Sequence, residues 1–128
     1  TDIEDYLRLG QEADIALDPF PFNGGVTTCH ALWMGLPVIT LSGRSAASRV
    51  GTSILGRMGL AECVASDQDA YRDKAISLAE NLNKLAALRA SLRTRMETAG
   101  LLDGPGLAYE VEVAFRAMWR TWCEGSQT

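Results

Sequence analysis

The sequence predicts an α/β fold with a parallel, Rossmann-like sheet followed by a helical tail. Three short apolar runs, at 15–18, 37–43 and 62–65, alternate with segments of helical period, which is typical of βαβ units. The second run, PVITLSG, is β-branched and apolar on both faces, as suits a parallel strand covered by helices. With 128 residues, we expect one domain, the diphosphate-binding sheet in 1–65 and a helical tail in 66–128.

Turn-forming residues bound the elements of the first half. Asp2 is a candidate N-cap for the first helix. Pro19 and Pro21 end the first strand, because proline cannot donate to a sheet ladder. Gly35 and Pro37 stop the second helix. The predicted elements are, in order, a helix at 2–13, a strand at 15–18, a helix at 26–34, a strand at 37–43, a helix at 46–58 and a strand at 62–65.

Three helices are predicted after the last strand. Ser66 followed by Asp69 resembles a capping box that opens the first of them, and a kink is expected near 81–83. Apolar residues at helical spacing continue through Leu85, Leu88, Leu92 and Met96. The last helix, 107–123, carries a stripe of Phe115, Met118, Trp119 and Trp122. That stripe is interpreted as core or as a docking surface.

Composition excludes several classes of protein. A net charge of −4 argues against nonspecific nucleic-acid binding, and no apolar run is long enough to span a membrane. Cys29, Cys63 and Cys123 are scattered, without the spacing of zinc ligands, so reduced thiols and a cytoplasmic location are expected, with no metal. The chain opens without Met and without a leader-like segment, so we expect a piece of a longer protein with no signal peptide.

The loop between the first strand and the second helix has the residues of an anion site. In parallel sheets, ligands bind where the carboxyl ends of strands lead into helices, and a helix start offers unpaired N–H groups. Gly24 and Gly25 allow close approach, and Thr27 and Thr28 add hydroxyl donors, so the loop predicts a diphosphate site. It is neither a Walker loop nor a GxGxxG fingerprint. Alternatively, the glycines only turn the chain and one threonine caps the helix.

Three further polar residues lie near this loop. His30, the single histidine, follows Thr27 by three residues, so it shares that helical face, where a ribose would sit. The alternative is a solvent-facing or core-edge histidine. Arg44 and Arg49 flank the loop after the second strand and could meet a phosphate, although such arginines are more often solvated.

Several separate blocks of this sequence resemble one enzyme family. The segments DIALDPFPFNGGVTTCHALWMGLPVITLSG, ASRVGTSILGRMGL and YRDKAISLA resemble the C-terminal part of the O-GlcNAc transferase and SPINDLY-like glycosyltransferases, especially their bacterial tetratricopeptide-repeat relatives. The resemblance extends from about Tyr6 to Cys123. It implies a GT-B architecture of two Rossmann-like lobes, in which this chain is the second half of the C-terminal lobe.

The resemblance also implies roles for individual residues. The family's Gly/Thr turn binds the donor diphosphate, which carries over to Gly24, Gly25, Thr27 and Thr28. Where the family often has Asp or Glu for the ribose hydroxyls, this chain has His30. A histidine found near the nucleoside in some relatives aligns with Tyr6. No residue of this chain is identified as a catalytic base.

The function implied is transfer of a sugar from a nucleotide sugar to serine or threonine of a protein. GlcNAc from a UDP-sugar is the donor that the family suggests, without a metal or other cofactor. The other lobe, the tetratricopeptide repeats and the acceptor site would lie outside this chain, which we expect to be inactive alone. The alternative from another class is a non-catalytic Rossmann-like nucleotide-binding or protein-interaction module.

Overall fold

The fold consists of a small parallel sheet, the helices that cover it and a long C-terminal helix. The structure is a computed structural model that describes residues 2–125, the side chain of Leu9 excepted. The elements are α1 (Ile3–Leu9), β1 (Ala16–Leu17), α2 (Val26–Trp33), β2 (Val38–Leu41), α3 (Val50–Arg57), a 3₁₀ turn (Ala61–Cys63), β3 (Val64–Ala65), α4 (Gln68–Glu80), α5 (Leu82–Thr98) and α6 (Gly104–Gly125). The predicted order of strands and helices is confirmed.

The three strands are parallel and lie in the order β1-β2-β3. Ala16 pairs with Val38, and Thr40 pairs with Val64. The central strand β2 is buried on both faces, as its apolar sequence predicts, with Ile39 only 1% exposed. A parallel Rossmann-like sheet is therefore confirmed, and it places the loops after β1, β2 and β3 at one edge.

One hydrophobic core lies between the sheet and the helices. α5 contributes a buried face at the predicted helical spacing, and Leu32 and Leu55 from α2 and α3 are fully buried. The buried residues of α5 are Leu85, Leu88, Leu92 and Met96. The core therefore holds α2 and α3 rigidly against β2, which positions the starts of both helices at the sheet edge.

Two helices are shorter than the sequence predicts. α1 ends at Leu9 rather than at 13. The Gly10 N–H donates to the carbonyl of Leu7 and closes a tight turn directly after Leu9. α3 begins at Val50 rather than at 46. Before it, the Ser48 hydroxyl donates to the Ser45 carbonyl and accepts from the Ser45 N–H, so serine side chains hold a turn in place of helix.

The start of α4 differs from the predicted capping box. Asp67, rather than Ser66, is the N-cap, and its carboxylate accepts from Ala70 N–H at 2.8 Å. Ser66 instead donates its hydroxyl to Asp67. The predicted kink is a full break at Asn81, whose side chain caps α5 by accepting from Lys84 N–H.

α6 begins at Gly104, before the predicted Leu107, and buries no side chain. Its aromatic stripe is exposed, with Phe115 65% and Trp119 66% accessible, so the interpretation of this stripe as core is wrong. The interpretation as a docking surface stays a prediction. None of the described helices is both long enough and apolar enough to cross a membrane.

Candidate functional site at the start of α2

The start of α2 carries no side-chain cap. Its N-cap residue is Gly25, and the first helical bond runs from Cys29 N–H to the Gly25 carbonyl at 3.0 Å. Helices leave their first N–H groups without helical partners, and aligned peptide dipoles add partial positive charge there. The alternative in which Thr27 or Thr28 caps this helix is therefore wrong. The start of α2 has the polarity of an anion site, at the sheet edge where ligands bind.

Gly24 supplies space rather than a free donor. Its N–H donates to the Asp18 carboxylate at 2.7 Å, so that amide is already used within the protein. A Cβ at this position would lie 2.6 Å from Thr28 Oγ1 and 2.7 Å from Thr27 Oγ1, closer than side-chain carbons approach such atoms. Glycine is therefore required here by close packing.

The two threonines are in different environments. Thr28 is only 4% exposed, whereas Thr27 is exposed at the surface of the first turn. Both hydroxyls lie beside Gly24, so the structure brings the predicted cluster of Gly24, Gly25, Thr27 and Thr28 together. Thr27 is the hydroxyl that an approaching ligand would meet first.

Tyr6 in α1 contacts His30, which lies one turn further along α2 than Thr27. Their ring centroids are 5.6 Å apart in an edge-on arrangement. His30 Nδ1 is buried and has no hydrogen-bond partner among the described residues. Tyr6, Thr27 and His30 line one cavity of about 250 Å³, with Leu7, Gly10, Ala31, Met34 and Leu36. The two residues predicted for the nucleoside thus adjoin the predicted diphosphate site.

The structure adds a buried network that the sequence reasoning missed. Asp18, at the carboxyl end of β1, is 3% exposed and accepts from Gly24 N–H and from the Thr40 hydroxyl at 2.6 Å. The hydroxyl of Tyr71 in α4 donates to the Asp18 carbonyl at 2.8 Å. Burial, and next the negative charge of Asp18, raise the pKa of Tyr71, so it stays a neutral donor. The sequence feature that could have pointed to this network is Asp18 itself, a single carboxylate at the end of an apolar strand.

The two remaining predicted cations lie at the surface. Arg44 and Arg49 are both exposed, and Arg49 occupies the N-cap position of α3 without a side-chain cap bond. No group of three or more His, Cys, Asp or Glu side chains is placed to hold a metal ion in the part of the chain that the structure describes.

A family model and several relatives match nearly the whole chain. The model described as Glycosyl transferase family 41 matches residues 1–110. A protein of Solanum lycopersicum described as a probable UDP-N-acetylglucosamine–peptide N-acetylglucosaminyltransferase SPINDLY is 40% identical over 121 residues, 94% of this chain and 13% of its own length. The Caenorhabditis elegans UDP-N-acetylglucosamine–peptide N-acetylglucosaminyltransferase is 34% identical over 122 residues, 95% of this chain and 11% of its own length.

A solved structure shows the same architecture. A mutant of the Thermobaculum terrenum O-GlcNAc transferase superposes with a TM-score of 0.88 at 38% identity, over 98% of this chain and 24% of that chain. The chain thus spans about one eighth of the length of the plant relative and about a quarter of the solved bacterial chain.

Proposed function

Because this chain belongs to glycosyl transferase family 41, we propose that the start of α2 binds the diphosphate of a nucleotide-sugar donor in a glycosyltransferase. The observation that carries the proposal is the uncapped first turn of α2 at the carboxyl edge of a parallel sheet. A helix start in that place, opened by two glycines, supplies oriented N–H donors and partial positive charge.

Each residue of the cluster has a separate part in the proposed site. The N–H groups of the first turn, beginning at Gly25, donate to the diphosphate, and the exposed Thr27 adds a hydroxyl. Thr28 is buried and contributes chiefly its backbone. Gly24 keeps the approach clear of side-chain carbon.

The proposed site would act by stabilising the leaving diphosphate. Negative charge grows on that group as the sugar departs, and preorganised donors in a fixed place lower the barrier. This chain spans only about one eighth of the tomato relative and about a quarter of the solved bacterial chain. We therefore expect this chain to be inactive alone, as the donor-binding portion of a larger enzyme.

The donor and the acceptor are proposed from the activities for which the relatives are named. Those in tomato and in Caenorhabditis elegans are described as UDP-N-acetylglucosamine–peptide N-acetylglucosaminyltransferases, the tomato assignment being marked as probable. We propose UDP-GlcNAc as the donor and serine or threonine of a protein as the acceptor, in the cytoplasm and without a metal or other cofactor. The acceptor would bind through a second lobe and tetratricopeptide repeats outside this chain.

The nucleoside is proposed to bind beside Tyr6 and His30. The His30 imidazole would bond one ribose hydroxyl, and the Tyr6 ring would contact the base. A single imidazole cannot accept two hydroxyls as a carboxylate does, so donor affinity depends more on the diphosphate contacts.

Titration calorimetry of UDP against the full-length protein tests this proposal. Thr27→Ala should weaken UDP binding by about 10- to 100-fold, since a hydrogen bond to a charged group contributes about 1.5–3 kcal/mol. Turnover should fall on the order of 10²–10³-fold, the usual effect of losing one such donor. Thr98→Ala, at the exposed end of α5, is the matched control and should change neither quantity.

Two results would contradict the proposal. An unmodified protein that does not bind UDP, or binds adenine nucleotides equally well, would favour a non-catalytic or different nucleotide-binding module. Unchanged UDP affinity and turnover in Thr27→Ala would move the diphosphate away from the start of α2.

A further inference from the structure

Asp18 lies directly behind the proposed diphosphate site and is almost completely buried. It continues the sheet pairing beyond β1, with its N–H donating to the Ile39 carbonyl at 2.9 Å. Its side chain is 3% exposed, and both carboxylate oxygens have donors, Gly24 N–H at 2.7 Å and the Thr40 hydroxyl at 2.6 Å. A buried carboxylate is costly unless it is hydrogen-bonded in this way.

Two glycines enclose this carboxylate. A Cβ on Gly24 would lie 3.1 Å from Asp18 Oδ1, and a Cβ on Gly51 would collide with Asp18 Oδ2 and with Thr40 Oγ1. The loop after β1 and the first turn of α3 therefore both approach Asp18 through backbone alone. Such close packing leaves the Gly24 amide little freedom to move.

The backbone of Asp18 is tied to a third element. Tyr71 in α4 donates its hydroxyl to the Asp18 carbonyl, and its ring packs edge-on against Phe20 with centroids 5.5 Å apart. The loop is thus held at Asp18, at Phe20 and at Gly24 before the chain enters α2.

We propose that Asp18 is a positioning residue for donor binding, acting through the Gly24 amide and Thr40 to set the orientation of the first turn of α2. This inference rests on the proposed function, because it concerns the same diphosphate site. Asp18 itself does not touch the donor: its oxygens face Gly24 and Thr40. Asp18 instead fixes the positions of the N–H donors that contact the diphosphate. Small displacements of positioned groups are known to reduce rates about 10²-fold.

The test measures the UDP dissociation constant and the unfolding temperature of full-length variants side by side. Asp18→Ala removes both acceptors and should weaken UDP binding by about tenfold or more. Asp18→Asn retains an acceptor for Gly24 N–H and turns its amide toward Thr40 Oγ1, so it should restore affinity to within about threefold of the unmodified protein. Rescue by asparagine would also show that geometry, not negative charge, matters.

A matched control separates positioning from general destabilisation. Leu92→Ala creates a cavity at a fully buried site in α5, and it should lower the unfolding temperature without changing UDP affinity. Should Asp18→Ala fail to fold, Thr40→Val, which removes one donor to the carboxylate, should weaken UDP binding while Thr40→Ser does not.

The outcomes distinguish this inference from the proposed function. UDP binding by the unmodified protein, with equal affinity in Asp18→Ala and Thr40→Val, overturns the positioning role alone. Absence of UDP binding in the unmodified protein overturns the proposed function and this inference together. If Leu92→Ala weakens UDP binding as much as Asp18→Ala does, the effect of Asp18→Ala comes from lost stability, and the positioning role is overturned.

Discussion

At the residue scale, Gly24 would serve the proposed site without touching the ligand. Its amide is taken by Asp18, and its missing Cβ leaves room for the hydroxyls of Thr27 and Thr28. The glycine pair in the sequence predicted a close approach, but did not reveal that the Gly24 amide is bonded to Asp18. His30 is the residue whose chemistry departs most from what the family resemblance implies, since an imidazole stands where a carboxylate is usual.

His30→Ala should reduce the protein's preference for UDP over 2′-deoxy-UDP. A single neutral hydrogen bond contributes about 0.5–1.5 kcal/mol, so we expect a preference of about 2- to 10-fold in the unmodified protein and none in the variant. Calorimetric titration of both nucleotides measures it. Tyr6→Phe is the control, because it keeps the ring beside His30 and should keep the preference. Undiminished preference in His30→Ala would remove His30 from the ribose site.

At the element scale, the helix starts of this protein fall into two kinds. α4 and α5 are capped by Asp67 and Asn81, whose side chains accept from backbone N–H groups. α2 and α3 have no side-chain cap, and both begin at the ligand-facing edge of the sheet. α4 also begins at this edge, after β3, and is nevertheless closed by Asp67, so the position of a helix at the sheet edge does not by itself decide whether its first N–H groups stay available.

The cap of α4 should make part of the stability depend on acid. Bonds from Ala70 N–H and next from the Ser66 hydroxyl lower the pKa of Asp67 below its ordinary 3.8. The charged form of Asp67 is therefore favoured in the folded state and stabilises it. This stabilisation is present above pH 3.8 and is lost as the pH falls through the lower pKa that Asp67 has in the folded state. Asp67→Ala should lower the unfolding temperature at pH 7, and the difference should shrink in that acidic range.

Glu80→Ala is the control for this pH dependence. Glu80 is an exposed acid at the other end of α4, so its removal should not reproduce the loss at pH 7. Thermal unfolding followed by circular dichroism between pH 7 and pH 3 measures both variants. An Asp67→Ala difference that stays constant over this range would exclude the carboxylate cap as its cause.

At the scale of the whole molecule, the sheet and its helices form one core while α6 extends beyond it. Every described residue of α6 from Leu107 onward is exposed, including four large side chains of its stripe. Exposed apolar patches are a feature of protein–protein contacts, so this face keeps the prediction of a docking surface. Since the chain spans about one eighth of the tomato relative, the remaining lobe of a longer enzyme is the partner we would expect for this docking surface.

Removal of α6 should therefore leave the core nearly as stable as before. We expect truncation after Asp103 to change the free energy of unfolding by under about 1 kcal/mol, or less than about 4–8 °C in unfolding temperature. Leu92→Ala in the same truncated chain should cost about 2–5 kcal/mol, because it empties a buried site. A loss on truncation as large as that of Leu92→Ala would show that α6 packs on the domain.

By itself, the sequence determined the alternation of strands and helices, the parallel sheet, the loop with Gly24, Gly25, Thr27 and Thr28, and the family. These features depend on periodicity and turn chemistry, which act between residues close together along the chain. Only the tertiary structure decided that Asp18 bonds Thr40 and Tyr71, 22 and 53 positions away, that α2 is left uncapped, and that α6 stays outside the core. Such contacts depend on how distant elements pack, which no local pattern specifies.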